Sequence, residues 1–368
     1  MNQTLFYRAM LIPSVVWLSV LFGAAAGTGR EVVEFFGSAG AWGGVVTIIV
    51  IVLMFALGFF LCFELARLFK AYDYQLLCIQ LLGKCWPAYE ITILLGMILS
   101  LGIISAAAGE IISMQFGFPN LWGTGGMLLL IIALTYSGRV LIEKTMALAS
   151  VLLLIALVYI GVQVAGNDSL AVVSAFANSE IHFGGVQKGL TYSFVNISYI
   201  PLILYAGRDI RSRGESVIGA TCAAIAGMLP LLLLHIIFSS SYPEIRDAEL
   251  PTFWLLERVS DRWFVDVYVI IIFIMFVQTG VGMVQGFLER IDGWYSKYHD
   301  GPMSPIRHSA LSFLTMTISV LLSTVGFVEL VRNGYWMLSY GFMLTFLIPL
   351  VTVGAYKVYR GSGSDEEH

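Results

Sequence analysis

Apolar runs of bilayer length recur along nearly the whole chain, and they leave its backbone few ways to fold. In hydrocarbon no water satisfies peptide N–H and C=O groups, so each spanning segment must satisfy its own backbone, as a helix does. A helix needs about 20 apolar residues to cross the hydrocarbon core. Ten such spans can be read, near residues 8–39, 42–69, 86–115, 122–137, 138–165, 186–207, 215–240, 263–288, 306–328 and 334–358. Of the 368 residues, 58% are hydrophobic and 12% charged, against about 25% charged in soluble domains. The expectation is an all-α membrane protein in a lipid bilayer, formed as a single transmembrane domain over 1–368. The net charge of −4 argues against a nucleic-acid partner. Cys62, Cys78, Cys85 and Cys222 fall in spans or beside loops assigned to the cytoplasm, so no disulfide framework is implied.

The first run is broken halfway. Gly23-Ala24-Ala25-Ala26-Gly27-Thr28-Gly29-Arg30-Glu31 interrupts it before Val32 resumes the apolar pattern. Bare peptide groups in hydrocarbon cost several kcal/mol each, and a charge at the bilayer centre costs roughly 3 kcal/mol or more. Such a break persists only where protein covers it or where it lines a wet cavity. Arg8, the run from Leu11 to Gly23 and Ala24-Ala25-Ala26 also resemble a cleavable signal peptide. The following stretch from Glu31 to Gly40 is too short to span alone, however, and makes sense as the second half of one broken helix.

Basic residues set the expected orientation. Most of the twenty Lys and Arg residues fall at ends assigned to the cytoplasm, among them Arg8, Arg67, Lys70, Arg139, Arg208, Arg290 and Lys357. Lys188, Arg246, Arg258, Arg262 and Arg332 fall outside, and Arg30 lies within the membrane. The positive-inside rule then places both termini in the cytoplasm. Residues 73–82 alternate like a short amphipathic helix on the inner surface. Residues 246–262 mix charges with Phe253, Trp254, Leu255 and Leu256 and read as a helical lid over the outer face. The polar tail, 361–368, reads as disordered.

A second interruption lies near the midpoint. Tyr192-Ser193-Phe194-Val195-Asn196-Ile197-Ser198-Tyr199-Ile200-Pro201 places hydroxyls, an amide and a proline at membrane depth. Pro201 removes a backbone donor and disfavours helix at Ile200. Two breaks at corresponding places in two five-span halves, 8–165 and 186–360, meet the condition for an inverted repeat, because an odd number of spans reverses the second half.

Ten spans in two inverted halves, with spans one and six broken, resemble the LeuT fold of the amino acid–polyamine–organocation superfamily. Within it, Gly27-x-Gly29-Arg30-Glu31-Val32-Val33-Glu34-Phe35-Phe36 is similar to a stretch of the first span in the YkvI-like bacterial membrane proteins. That resemblance implies a transporter-like protein of the bacterial cytoplasmic (inner) membrane, without a defined substrate. Sodium-coupled members of the fold hold a cation between the first break and span-eight hydroxyls. Here Gln278-Thr279-Gly280 offers one hydroxyl where the sodium pattern supplies two. In proton-coupled relatives a span-five lysine replaces the ion, which makes Lys144 a candidate beside its plainer reading as an inner-surface lysine.

Physical chemistry picks out the candidate site. N–H groups around Thr28, Gly29 and Arg30 suit a carboxylate at a helix start, and small residues at Gly23, Ala26 and Gly27 let a ligand approach the backbone. Arg30 and Glu31 read as a counter-ion and as a proton carrier or ammonium partner, or else as internal pairs with each other, Glu34 or Glu110. From span six, Tyr192, Phe194, Asn196 and Tyr199 are expected to line the cavity, together with Gln278 from span eight. Lys144, Thr279 and Glu110 are the ion-coupling candidates, for H+ or Na+, with protons slightly favoured. Gly102, Ser105, Ala106 and Gly109 form a small-residue stripe on span three.

No phosphate loop, H-E-x-x-H or paired C-x-x-C occurs, so the expectations include no enzyme, cofactor or bound metal. The leading reading is a secondary active transporter for a small zwitterionic or organic solute such as an amino acid or amine. The alternative is a ligand-sensing, germinant-receptor-like subunit that does not transport. A channel lacks its charged ring.

Overall fold

The computed structural model describes residues 6–21, 24–137, 139–296, 299 and 303–365; the side chains of 6, 24–25, 136–150, 305, 309 and 362–365 lie outside that description. Helix dominates. Span one enters as Phe6–Leu11 and Ile12–Leu21, passes through a single turn at Ala24–Gly27, and resumes as Arg30–Phe35. Spans two to five are Gly40–Phe69, Pro87–Phe116, Asn120–Ser137 and Arg139–Asn167. Span six is Val186–Ile197 followed by a 3-10 stretch at Ile200–Gly207, the two bent by 61°. Spans seven to nine are Arg213–Ser239, Arg262–Tyr295 and Pro305–Ser323, and span ten runs from Phe327 to Asp365. Six helices among the described residues are long and apolar enough to cross a membrane by length alone, and the broken or shorter elements complete the bundle.

Local chemistry sets the element ends. Span three stops at Gly117, whose left-handed backbone (φ 70°) donates its N–H back to Ser113. This is the usual glycine termination of a helix. The amphipathic helix expected at 73–82 is present as Tyr74–Leu82, with the Asp73 carboxylate accepting from the N–H groups of Gln75 and Leu76. Span nine, expected to reach 328, ends at Ser323, because Gly326 at φ 103° turns the chain before span ten. Residues 361–365, expected in a disordered tail, are helical. Extending a formed helix needs no new nucleus, and Gly361 packs so closely on Leu68 that a Cβ would come within 2.9 Å. Residues 366–368 of that tail lie outside the described residues.

Spans one, two, six and seven pack on one another as one group, and spans three, four, eight and nine as a second. Spans five and ten run along both. Small residues bring the helices together within each group, as is common where lipid gives no hydrophobic drive. A Cβ on Gly227 of span seven would lie 2.5 Å from the Trp17 ring of span one. One on Gly109 of span three would lie 2.7 Å from the Thr124 hydroxyl of span four. Arg8–Glu215, Arg67–Glu64 and Arg290–Glu90 pairs mark the end of the bundle that carries the termini. The lid marks the opposite end: a turn at Glu244–Asp247 leads into the helix Pro251–Val259.

Candidate functional site

The two breaks face each other. Gly29 sits at φ 79°, a conformation L side chains rarely adopt, and a Cβ there would lie 2.5 Å from both Phe238 Cζ and Thr252 Oγ1. Glycine is therefore required twice over, by backbone angle and by space. The peptide groups freed at this break are taken up locally. Gly29 N–H donates to the Ala26 carbonyl at 3.0 Å, and Arg30 N–H to the Thr28 hydroxyl at 3.3 Å. The Gly27 carbonyl accepts the Tyr268 hydroxyl at 2.5 Å, and the Thr28 carbonyl accepts Thr252 N–H of the lid at 3.0 Å. The expectation that Gly29 and Arg30 N–H groups stand open for a carboxylate is thus corrected, since the chain's own acceptors cap them. In span six, Tyr199 N–H donates to the Asn196 carbonyl and the Ser198 carbonyl accepts from Tyr89.

Between the breaks lies a cavity of about 110 Å³. Span one contributes Val20, Leu21, Ala26 and Glu31, and span six Asn196 and Tyr199. Span three adds Ser100, Ile103 and Ile104, span eight Thr279 and Met283, and span ten Tyr335. Glu31 is the charged group among these walls. Its Oε1 accepts the Tyr335 hydroxyl at 2.6 Å and its Oε2 the Tyr192 hydroxyl at 3.3 Å. Tyr335 follows a π-helical stretch, Leu330–Gly334, a distortion that often marks functional sites.

Arg30 points elsewhere. Its guanidinium donates to the lid carbonyls of Arg246 and Ala248, at 3.0 and 3.1 Å, and to Glu34 at 3.1 Å. Glu34, itself 6% exposed, also receives Lys188 at 3.1 Å and a two-pronged contact from Arg332 at 3.2 Å. Three cations on one carboxylate, seated under the lid, close that end. Wider hollows of about 470 and 360 Å³ open around this cluster, lined by the half-exposed Lys188 and Arg332.

Of the residues expected to form the site, the structure brings Ala26, Glu31, Asn196, Tyr199 and Thr279 to the cavity and sets Tyr192 directly behind Glu31. Gly27, Thr28 and Gly29 build the break without lining the cavity, and Arg30 serves the lid. Phe194 is half-buried against the helix core, and Gln278 is buried one residue before Thr279. Glu110 lies away from the cavity, its carboxylate accepting the Asn120 amide at 2.5 Å. Gly23 and the side chain of Lys144 lie outside the described residues. Ser100, Ile103, Ile104, Met283 and Tyr335 line the cavity without having been expected to; Ser100, a hydroxyl within an apolar run, and Tyr335, an aromatic hydroxyl at the start of one, carried a signal that could have flagged them.

No protein-family model matches the chain, and no curated protein is similar to it in sequence. Solved structures are similar to it in fold. A mutant of the manganese transporter of Eremococcus coleocola gives a TM-score of 0.53 at 11% identity, over 95% of this chain and 79% of that one. Mhp1, a nucleobase-cation-symport-1 family transporter in a closed conformation with bromovinylhydantoin bound, gives 0.52 at 14% identity, over 90% of this chain and 74% of that one. The chain therefore has the LeuT-type fold of an all-α membrane protein, with spans one and six broken.

Proposed function

We propose that this protein is a secondary active transporter. It moves a small zwitterionic or organic solute, an amino acid, amine or related compound, by alternating access between two sides of the membrane. The observation that carries this reading is the cavity where both broken spans meet, walled by Ala26 and Glu31 from one and Asn196 and Tyr199 from the other. Solute sites in secondary transporters lie at such a midplane junction. The manganese transporter and the nucleobase-cation-symport-1 protein with related folds support transport as the activity. In this reading the Arg30–Glu34–Lys188–Arg332 cluster and the lid hold one entrance shut.

Protons are favoured over sodium as the coupling ion. Span eight offers the cavity one hydroxyl, Thr279, whereas Glu31 offers a carboxylate. The chain is read as a YkvI-like protein of the bacterial inner membrane with both termini in the cytoplasm, and not as an enzyme. The test is counterflow into proteoliposomes preloaded with amino acids, betaines, amines or nucleobases, with and without sodium. Time-dependent exchange of at least one class is expected, abolished by Asn196→Leu. A compound that stabilises the protein yet never exchanges would instead favour the sensing subunit.

A further inference from the structure

Glu31 poses a problem of charge that the cavity walls leave open. The side chain is 4% exposed, and its oxygens are held by neutral donors, the hydroxyls of Tyr335 and Tyr192. Two neutral hydrogen bonds orient a carboxylate but bring no countercharge, and a lone charge at membrane depth is costly. The groups facing it from the surrounding elements are few. Span six supplies Tyr192 and Tyr199, and span ten Tyr335; the lining positions of spans three and eight are uncharged. On its own helix, Arg30 turns to the lid and Glu34, and Glu34 to Lys188 and Arg332. Among the described residues no basic side chain lies within ion-pair distance of Glu31.

The walls indicate what completes it. At about 110 Å³ the cavity is smaller than the roughly 150 Å³ space that accommodates benzene. Tyr199 and Tyr335 line it, and aromatic rings attract a cation held near them. Among the described residues a solute carboxylate would meet no cationic wall here, and the nearby N–H groups of Gly29 and Arg30 are already bonded to Ala26 and Thr28.

Resting on the transporter reading of this cavity, we propose that a proton and a small monovalent organic cation are alternative occupants of the Glu31 carboxylate, so that the protein exchanges one for the other. When a small alkylammonium ion binds, the carboxyl O–H bond breaks, its electron pair stays on Glu31, and the proton leaves to solvent. Return of a proton from the other side releases the cation. Zwitterions of the same size bind less well.

The test uses the purified full-length protein with methylammonium, ethylammonium and alanine, titrated calorimetrically between about pH 5 and pH 9 in two buffers of different ionisation enthalpy. Cation Kd is expected to fall by roughly tenfold per pH unit over the range where Glu31 carries its proton, with release of about one proton per cation bound. Alanine should bind at least about tenfold more weakly. Glu31→Gln should lose cation binding and the pH slope at an unchanged melting temperature, and Glu31→Asp should retain both. Cation affinity independent of pH, or alanine bound without proton release and indifferent to Glu31→Gln, overturns the proposal. Should Glu31→Gln fail to fold, the proton count on the unmodified protein decides. In proteoliposomes an imposed pH gradient should drive cation accumulation. Proton-releasing binding with no counterflow of any compound would remove the transporter reading, and the exchange with it, while leaving the competition at Glu31. Counterflow of a zwitterion insensitive to pH would do the reverse.

Discussion

Arg30 and Glu31 are neighbours in the chain, yet they serve different faces of the second half-helix. Successive residues on an α-helix point about 100° apart, so one side chain reaches the lid carbonyls while the next reaches the cavity. Gly29 makes this possible by setting the helix start at a backbone angle open to glycine. Gly29→Ala is expected to lower stability by about 1–3 kcal/mol through strain and contact with Phe238 and Thr252; thermal unfolding in detergent measures it. At the carboxylate, Tyr335→Phe removes a 2.6 Å hydrogen bond to Glu31. Bonds to charged groups contribute about 1.5–3 kcal/mol to stability, so the melting temperature should fall, read by thermal unfolding, and solute affinity at Glu31 should weaken, read by calorimetry. The presence of two charges at membrane depth was legible in the sequence. Which of them faces the solute was not, because that depends on where the half-helix begins and on lid carbonyls more than 200 residues away.

The lid is tied down through its backbone. Arg30 binds two of its carbonyls, and Thr252 N–H reaches the Thr28 carbonyl at the break. Arg30→Ala should therefore raise hydrogen exchange in residues 244–259 and leave solute affinity at Glu31 nearly unchanged, whereas an Arg30 that contacted solute would show the converse. Glu34→Gln strands Arg30, Lys188 and Arg332 around an uncharged amide. Breaking a buried ion pair costs about 3–5 kcal/mol, and solvation of the half-exposed Lys188 and Arg332 reduces that. The expected loss is nearer 2 kcal/mol, checked by thermal unfolding. At this scale the sequence was informative wherever membrane physics penalises a residue type: both breaks, the lid and the amphipathic helix were readable because glycine, proline and charge are out of place in an apolar run. Ile103, Ile104 and Met283 were hidden for the same physical reason. A spanning helix meets lipid on one face and protein on the other, both apolar, so its rotation about its own axis leaves little periodic trace. The continued helix at 361–365 shows the converse error, since polar composition alone does not stop a helix that is already formed and packed.

Across the whole molecule, the cavity lies where the group of spans one, two, six and seven meets the group of three, four, eight and nine, with span ten closing the side. Its walls come from both groups, so any rocking of one against the other must open or shut it. Polar closure is visible at the lid end, and Arg290–Glu90, Tyr89–Ser198 and Tyr199–Phe342 contacts knit the end that carries the termini. Thr279 is the natural reporter, because it lies on the cavity wall and belongs to the second group. With Cys62, Cys78, Cys85 and Cys222 replaced by serine, Thr279→Cys can be probed with a membrane-impermeant thiol reagent from either side of oriented vesicles. Labelling from each side is expected, slowed by bound solute on both, with Glu34→Gln raising the rate from the lid side and lowering it from the other. Labelling that solute does not slow, or that rises from both sides together when the lid is loosened, would contradict a solute site reached by alternating access.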